Sequence, residues 1–424
     1  MMIHHRFAMA ACAALLACPA FAGQDGAAVT FTKDVLPILQ ENCILCHRPY
    51  GANLGGMVAP MSFMTYEETR PWAKAIGKAV TNRDMPPWDA SPEHAGVFEG
   101  ERVLDDAKIA VIQKWVATGA TKGNPADAPA PMEFPGVDGW TIGVPDLILT
   151  MPEPFFVPDD LLDGTKYFPA VLTEEQLPKD RWIKAVEFRA GSEAVHHIIV
   201  SPFGGVAPGN VPNTFREGYG ALVKKGAKVT WNMHYHKEPG PGTGVWDQSS
   251  LAVVFYPEDY TPKHVLTTLP LGPMDFAIPA GDPNYAASAE FTFAKDALIY
   301  EMMPHMHFRG TKVFYELTYP TGTKETLLNV PAYDFNWQTV YTFKEPKAVP
   351  AGTTVKFTGW WDNSANNPSN PDPSKTVTWG EATHEEMLFG WVSFANANED
   401  ATAHQGYYSG GGHVAVDSAK QSTD

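Results

Sequence analysis

Cysteine is almost missing from this chain: four residues in 424, and two of them, Cys12 and Cys18, lie in an apolar N-terminal stretch. That leaves Cys43 and Cys46, enough for one disulfide at most. Four thiolates for an iron–sulfur cluster are not there. A blue-copper centre needs a spare Cys, so multicopper oxidases and copper nitrite reductases are excluded on this count. Positive charge is also scarce, with 31 basic against 48 acidic residues and a net charge of −17. Nucleic acid and anionic membranes would repel such a surface. Past the N-terminus, no apolar run approaches the roughly 20 residues of a membrane span.

What is abundant is Gly (36) and Pro (37), in a chain that is 44% hydrophobic and only 19% charged. This suits many short strands joined by tight turns, in two or three packed domains. Residues 1–22 combine Arg6, an apolar run from Phe7 to Ala17 and an Ala20-Phe21-Ala22 cleavage signal. They read as a signal peptide, which predicts a periplasmic or secreted protein cleaved near Ala22. Lipoprotein processing at Cys18, after Leu15-Leu16-Ala17, is the competing route.

Residues 23–123 read as a small all-α domain. Residues 32–42 place Val35, Leu36 and Leu39 on one helical face, and residues 105–118 do the same with Ile109, Ile112, Trp115 and Val116, stopped by Gly119. A Pro-rich linker follows at 124–136. From Trp140 the texture turns to β, with runs at 182–189, 195–202, 228–236, 251–256, 297–303, 312–319, 353–361 and 387–394. Two antiparallel β-sandwiches, jelly-roll-like, are expected at 137–270 and 271–400, ahead of a loose tail at 401–424.

Cys43-Ile-Leu-Cys46-His47 is a C-x-x-C-H sequence, the pattern that ties a haem to the chain by two thioethers and supplies His47 as an iron ligand. A C-x-x-C can also be a zinc half-site or a redox pair, but no second C-x-x-C completes a zinc site. The leader and flanking helices favour one covalent haem c. The sixth ligand is expected among Met57, Met61, Met64, Met85 and His94. Met85 is preferred because Pro86 and Pro87 hold an extended loop there. This segment resembles small c-type cytochromes, which move single electrons.

The other histidines cluster. His196 and His197 are adjacent, His234 and His236 form one H-x-H pair, and His305 and His307 form another. On a strand, residues i and i+2 share a face, so each H-x-H offers two imidazoles to one ion. His196 and His197 would point to opposite faces of a regular strand and can share an ion only at a strand end or bulge. Without a spare Cys, imidazole, alone or with a thioether, suits copper, and a Met favours the cuprous state. Spacing alone leaves open which imidazoles share an ion.

From about Trp140 to Phe394 the chain resembles the copper type II ascorbate-dependent monooxygenases, the peptidylglycine α-hydroxylating and dopamine β-hydroxylating enzymes. The resemblance implies two β-sandwiches, each with one copper, facing across a solvent-filled cleft. The first copper would take His196, His197 and His234, the last followed by Tyr235. The second would take His305, His307 and Met387, within His384-Glu385-Glu386-Met387. His236 is then a spare, with its use as a ligand the local alternative, and His264 and His384 are structural or surface residues. The animal enzymes are rich in disulfides, which this chain must replace by packing. The carboxylate clamp of the peptide-amidating branch is also missing: Met303, Phe389 and Trp391 stand at its positions. That favours a more apolar or aromatic substrate, unless these side chains simply pack between sheets.

The function so implied is hydroxylation of a C–H bond of a small organic substrate with O2, His305, His307 and Met387 being the catalytic set. A periplasmic donor would feed electrons through the fused haem to the three-histidine copper. The linker would raise the local concentration of donor without a tight interface. The alternative is a non-catalytic periplasmic copper-binding protein for electron transfer or copper handling. A third possibility is a working cytochrome attached to a degenerate binding module.

Overall fold

The computed structural model describes residues 28–48, 61–134, 139–210, 212–399 and 401. The leader, Met57 and nearly all of the tail lie outside them. Among the described residues no helix is long and apolar enough to cross a membrane, which says nothing of a β-barrel.

The fold is mostly β, with its helices gathered near the N-terminus. Helices run over Leu36–Asn42, Tyr66–Thr69, Ala73–Asn82 and Asp106–Ala117. The expected first helix opens as a π-helical turn, Phe31–Val35, before becoming regular at Leu36. The last starts where Asp105 accepts the Lys108 N–H at 2.8 Å and ends at Gly119, with φ of 96°. Their apolar faces enclose Phe31, Val35, Leu39, Ile76, Ile112 and Trp115.

Each of the eight runs read as strands coincides with a strand, overrunning it by one residue at most. Two sheets enclose a core of Ile198, Val200, Trp231, Met233 and Val253. The inner one is ordered Asp163–Val171, Lys228–His236, Val195–Ser201, Gly204–Val206. Two more enclose Met302, Met306, Tyr315, Phe357 and Val392. One of these is ordered Thr267–Leu271, Leu388–Asn396, Ala297–Met306, Tyr341–Val349. The chain crosses between sandwiches at Leu266: His264–Val265 pairs with Tyr219–Val223, while Thr267–Leu271 pairs with Leu388–Asn396. The crossing therefore falls a few residues ahead of the expected 270/271.

The N-terminal segment is not loosely tethered. Phe98 is fully buried in the core of the second sandwich and bridges Phe343. The Ser91 N–H reaches Asn329 O at 2.8 Å, and the Glu99 N–H reaches Thr342 O at 2.8 Å. The linker folds back as well: Gln40 donates to Ala130 O at 3.0 Å, and the Arg48 guanidinium lies 4.0 Å from the Phe134 ring. The composition of 124–136 argued for a spacer, but the docking is done by a different loop, residues 88–102, whose aromatic residues find a ready apolar core.

Candidate metal centre

Strands 195–201 and 228–236 pair antiparallel, and the register slips between Val195, opposite Tyr235, and His197, opposite His234. His196 is the extra residue of this bulge. That irregularity is what two adjacent histidines need to reach one point. The Nδ1 atoms of His196 and His197 are 3.4 Å apart, and those of His197 and His234 are 3.2 Å apart. Ligand atoms of all three lie within 4.8 Å of one another, so the cluster can hold a metal ion. Metal–imidazole bonds of about 2.0 Å at tetrahedral angles set nitrogens about 3.3 Å apart.

Protonation also favours a cation here. Burial, then the neighbouring imidazoles, holds His196 and His197 well below the ordinary histidine value. Asp163 Oδ1 accepts from His234 Nε2 at 2.5 Å, which fixes the tautomer and leaves the Nδ1 lone pair free. Burial alone would raise Asp163, but His234, His236 and the Thr383 N–H together hold its carboxyl well below the usual range. Three converging lone pairs repel one another unless a cation lies between them. His236 is half-buried, 3.8 Å from Asp163, with its ring 6.0 Å from that of His196. The three-atom convergence does not include it.

The second set sits on the facing wall. In the pairing of strands 297–306 and 388–396, His305 lies opposite Phe389 and Met306 opposite Leu388. His307 and Met387 flank the last paired residues of these two strands, and both line the cavity described below. Gln338 Oε1 accepts from His305 Nδ1 at 2.8 Å, which leaves His305 Nε2 free. Buried His307 has no partner for its Nδ1. Burial pushes His305 down to about 4 and His307 well below its ordinary value, so both are neutral donors. Glu386, fully buried beside Met387, accepts N–H groups from His307 at 3.1 Å and Arg309 at 2.7 Å, and from the Trp361 indole at 2.8 Å. These bonds lock the turn after the H-x-H pair to the segment carrying Met387. His384 is exposed, in keeping with the expectation of a structural or surface residue, and lends its carbonyl to Arg309 at 2.9 Å.

The two sets are adjacent rather than separated by an open cleft. The His197 and His305 rings are 6.1 Å apart, and Phe335 stacks on His196 at 4.6 Å while lying 6.1 Å from His307. Asp163 Oδ2 accepts the Thr383 N–H at 2.6 Å, and Tyr167 donates to Glu381 at 2.8 Å, tying the walls together. A cavity of about 1380 Å³ runs between the sandwiches, lined by His197, His305, His307 and Met387 and reaching Cys46 and Trp88.

Around the C-x-x-C-H, Cys43 closes the helix Leu36–Asn42, and the two thiols are free rather than bridged. Burial, then Cys46, pushes the Cys43 thiol up to about 12. His47 Nδ1 meets Met61 O at 3.2 Å and its ring stacks on Phe63 at 4.3 Å, leaving Nε2 free. Of the sixth-ligand candidates, Met61 and Met64 pack against the helical core. His94 is not free: its Nε2 accepts the Asn329 N–H at 2.9 Å, at the docking loop. Met85 is half-buried ahead of Pro86 and does not line the cavity.

No family model and no curated protein matches this chain. Among solved structures, similar chains include that of the infectious bursal disease virus Gx strain, 9% identical over 60% of this chain and 72% of that one, with a TM-score of 0.19. Another is the VP2 subviral particle of the same virus, 10% identical over 62% and 84%, with a TM-score of 0.16. At such scores the likeness carries no argument.

Sequence reasoning missed Asp163, Gln338 and Phe335. Asp163 is 71 residues from His234 and Gln338 is 33 from His305. No local pattern marks either, since each meets its histidine only through sheet pairing or a long loop.

Proposed function

We propose that this chain is a copper-dependent monooxygenase that hydroxylates a C–H bond of a small, rather apolar organic molecule with O2, drawing electrons through a haem c. One observation carries most of this: the His196, His197 and His234 cluster lies beside His305 and His307, and one cavity lined by His197, His305, His307 and Met387 also reaches Cys46 of the C-x-x-C-H segment. His196, His197 and His234 would hold one copper, His305, His307 and Met387 the other, and Cys43, Cys46 and His47 the haem. Bound there, these groups would supply one-electron storage and activation of O2.

The protein's own residues would do the rest. Asp163 and Gln338 orient His234 and His305 and keep their outer N–H groups occupied. Glu386 ties the turn after His307 to the segment carrying Met387. Met303, Phe389 and Trp391 give the cavity an apolar wall for the substrate and exclude water from it. Arg102 donates to Gly209 O at 2.5 Å and Thr339 Oγ1 at 3.2 Å, joining the Cys46 end of the cavity to both sandwiches. Phe335, stacked on His196 and 6.1 Å from His307, packs between the two sets.

The test is to reduce the loaded protein anaerobically, mix it with O2, and follow the haem spectrum with and without candidate substrates. Haem reoxidation that quickens with substrate is expected. A haem that stays reduced through O2 uptake removes it from the electron path, and no substrate-dependent uptake at all sinks the hydroxylase.

A further inference from the structure

One carboxyl on the cavity wall has no charge partner. Glu301 is half-buried and lines the cavity. Its Oε1 accepts from Ser393 Oγ at 3.1 Å and its Oε2 from Thr342 Oγ1 at 3.1 Å, while Ser393 Oγ meets Thr268 Oγ1 at 2.9 Å. Among the described residues it makes no ion pair, whereas the lining acids Glu41, Glu99 and Glu101 are matched by Lys108, Arg216 and Lys344. Burial raises its carboxyl above the ordinary value, against the pull of the two hydroxyls, and Glu99 adds to the rise. A carboxylate accepts about four hydrogen bonds, so room remains for a donor that enters the cavity.

A register slip puts it there. Ala297 and Ile299 belong to the core of the second sandwich, and so do Met302 and Met306. The slip between Ile299 and Glu301 moves the core-facing set from odd to even positions, which turns Glu301, Met303 and His305 to the cavity. On the paired strand Ser393, Trp391 and Phe389 stand opposite them in that order and also line the cavity. The wall is therefore a ladder with a polar rung at Glu301, an apolar rung of Met303 and Trp391, and then the His305 rung. His305 is four residues from Glu301, about 13 Å along the strand. Over that span, ions held at the histidines act on the carboxylate far more weakly than an ammonium touching it.

Deepening the function proposed above, on which it rests for the chemistry at the far end, we propose that Glu301 is the head-group subsite for the ammonium of an elongated primary alkylamine. The ammonium donates to the Glu301 carboxylate, and a cation there favours the ionised form that burial disfavours. The chain lies over Met303 and Trp391, and its far end reaches the wall of His305, His307 and Met387. An extended chain of about eight carbons spans this ladder at the usual strand rise, so the carbon presented to the metal sets is remote from the nitrogen. A short amine held at Glu301 stops at the apolar rung.

Octylamine, butylamine and 1-octanol, titrated calorimetrically into the oxidised, metal-loaded protein at neutral pH without reductant, test this. Octylamine should bind about tenfold tighter than octanol, one charge-assisted hydrogen bond's worth. It should also bind at least about tenfold tighter than butylamine, whose shorter chain buries less apolar surface. Glu301→Gln should weaken octylamine about tenfold or more and leave octanol nearly unchanged, since the amide oxygen still accepts its O–H. Retained octanol binding also shows that the variant has folded. An octylamine carrying a diazirine at its far carbon should, on irradiation, label residues 387–389 or 305–307, mapped by peptide mass spectrometry. Equal binding of amine and alcohol, octylamine binding that ignores Glu301→Gln, or label confined to residues 340–343 would overturn the subsite. Because no O2 chemistry enters, amine-selective binding without any O2 uptake would sink the hydroxylase and leave the subsite. Substrate-dependent uptake without amine selectivity would sink the subsite alone.

Discussion

At the scale of single residues, the histidines that converge are those whose doublets stand out in the sequence, while the groups that aim them do not. His196, His197 and His234 were legible because H-H and H-x-H spacings have few uses on a strand. Asp163 was not, since it is one acid among 48 acidic residues and meets His234 only through register. Its carboxylate serves two masters, the His234 ring and the Thr383 N–H that precedes the Met387 segment. Asp163→Asn should therefore lower copper affinity at the three-histidine set about 10- to 100-fold, the usual cost of losing such a partner. A competitive chelator titration reads this directly, and an unchanged affinity would show that the imidazoles hold their tautomers unaided.

At the scale of elements, two irregularities matter more than the regular strands. The bulge at Val195/His197 follows from the side-chain demand of adjacent histidines, so its existence was legible while its exact pairing was not. The docking loop was not legible, because residues 88–102 have no period and their aromatics could have served the helical core. Phe98→Ala should cost about 3–5 kcal/mol, the range for a fully buried Phe, measured by denaturant unfolding. A loss below about 1 kcal/mol would mean the loop is not anchored there. The same loop carries Asp89, which burial, then Asp334, raises from 3.8 to about 7 against the pull of Arg102. A raised carboxyl binds its proton more tightly when folded, so its contribution is lost as pH climbs from about 4 to about 7. Asp89→Asn should then gain thermal stability relative to the parent across that window. A difference that stays flat with pH would contradict the assignment.

At the scale of the whole molecule, the order of parts was readable and their closeness was not. Hydrophobic alternation gave the strands, and helix periodicity with caps gave the helical ends. Nothing local says that sheets 163–236 and 267–396 press their histidine faces together, or that the C-x-x-C-H end opens into the same cavity. Those facts depend on cross-sheet bonds such as Tyr167–Glu381 and on Arg102 joining loops more than 100 residues away. The acidic balance of the chain carries through to the cavity, where carboxylates outnumber Arg102 among the described lining residues.

The most direct test of the central claim is a metal count on protein made with its leader in a host able to attach haem c. Elemental analysis should give two coppers and one iron per chain, with His196→Ala and Met387→Ala each losing one copper and keeping the iron. Iron without copper in the parent protein would contradict the account, leaving a haem segment docked on two sandwiches that bind something else.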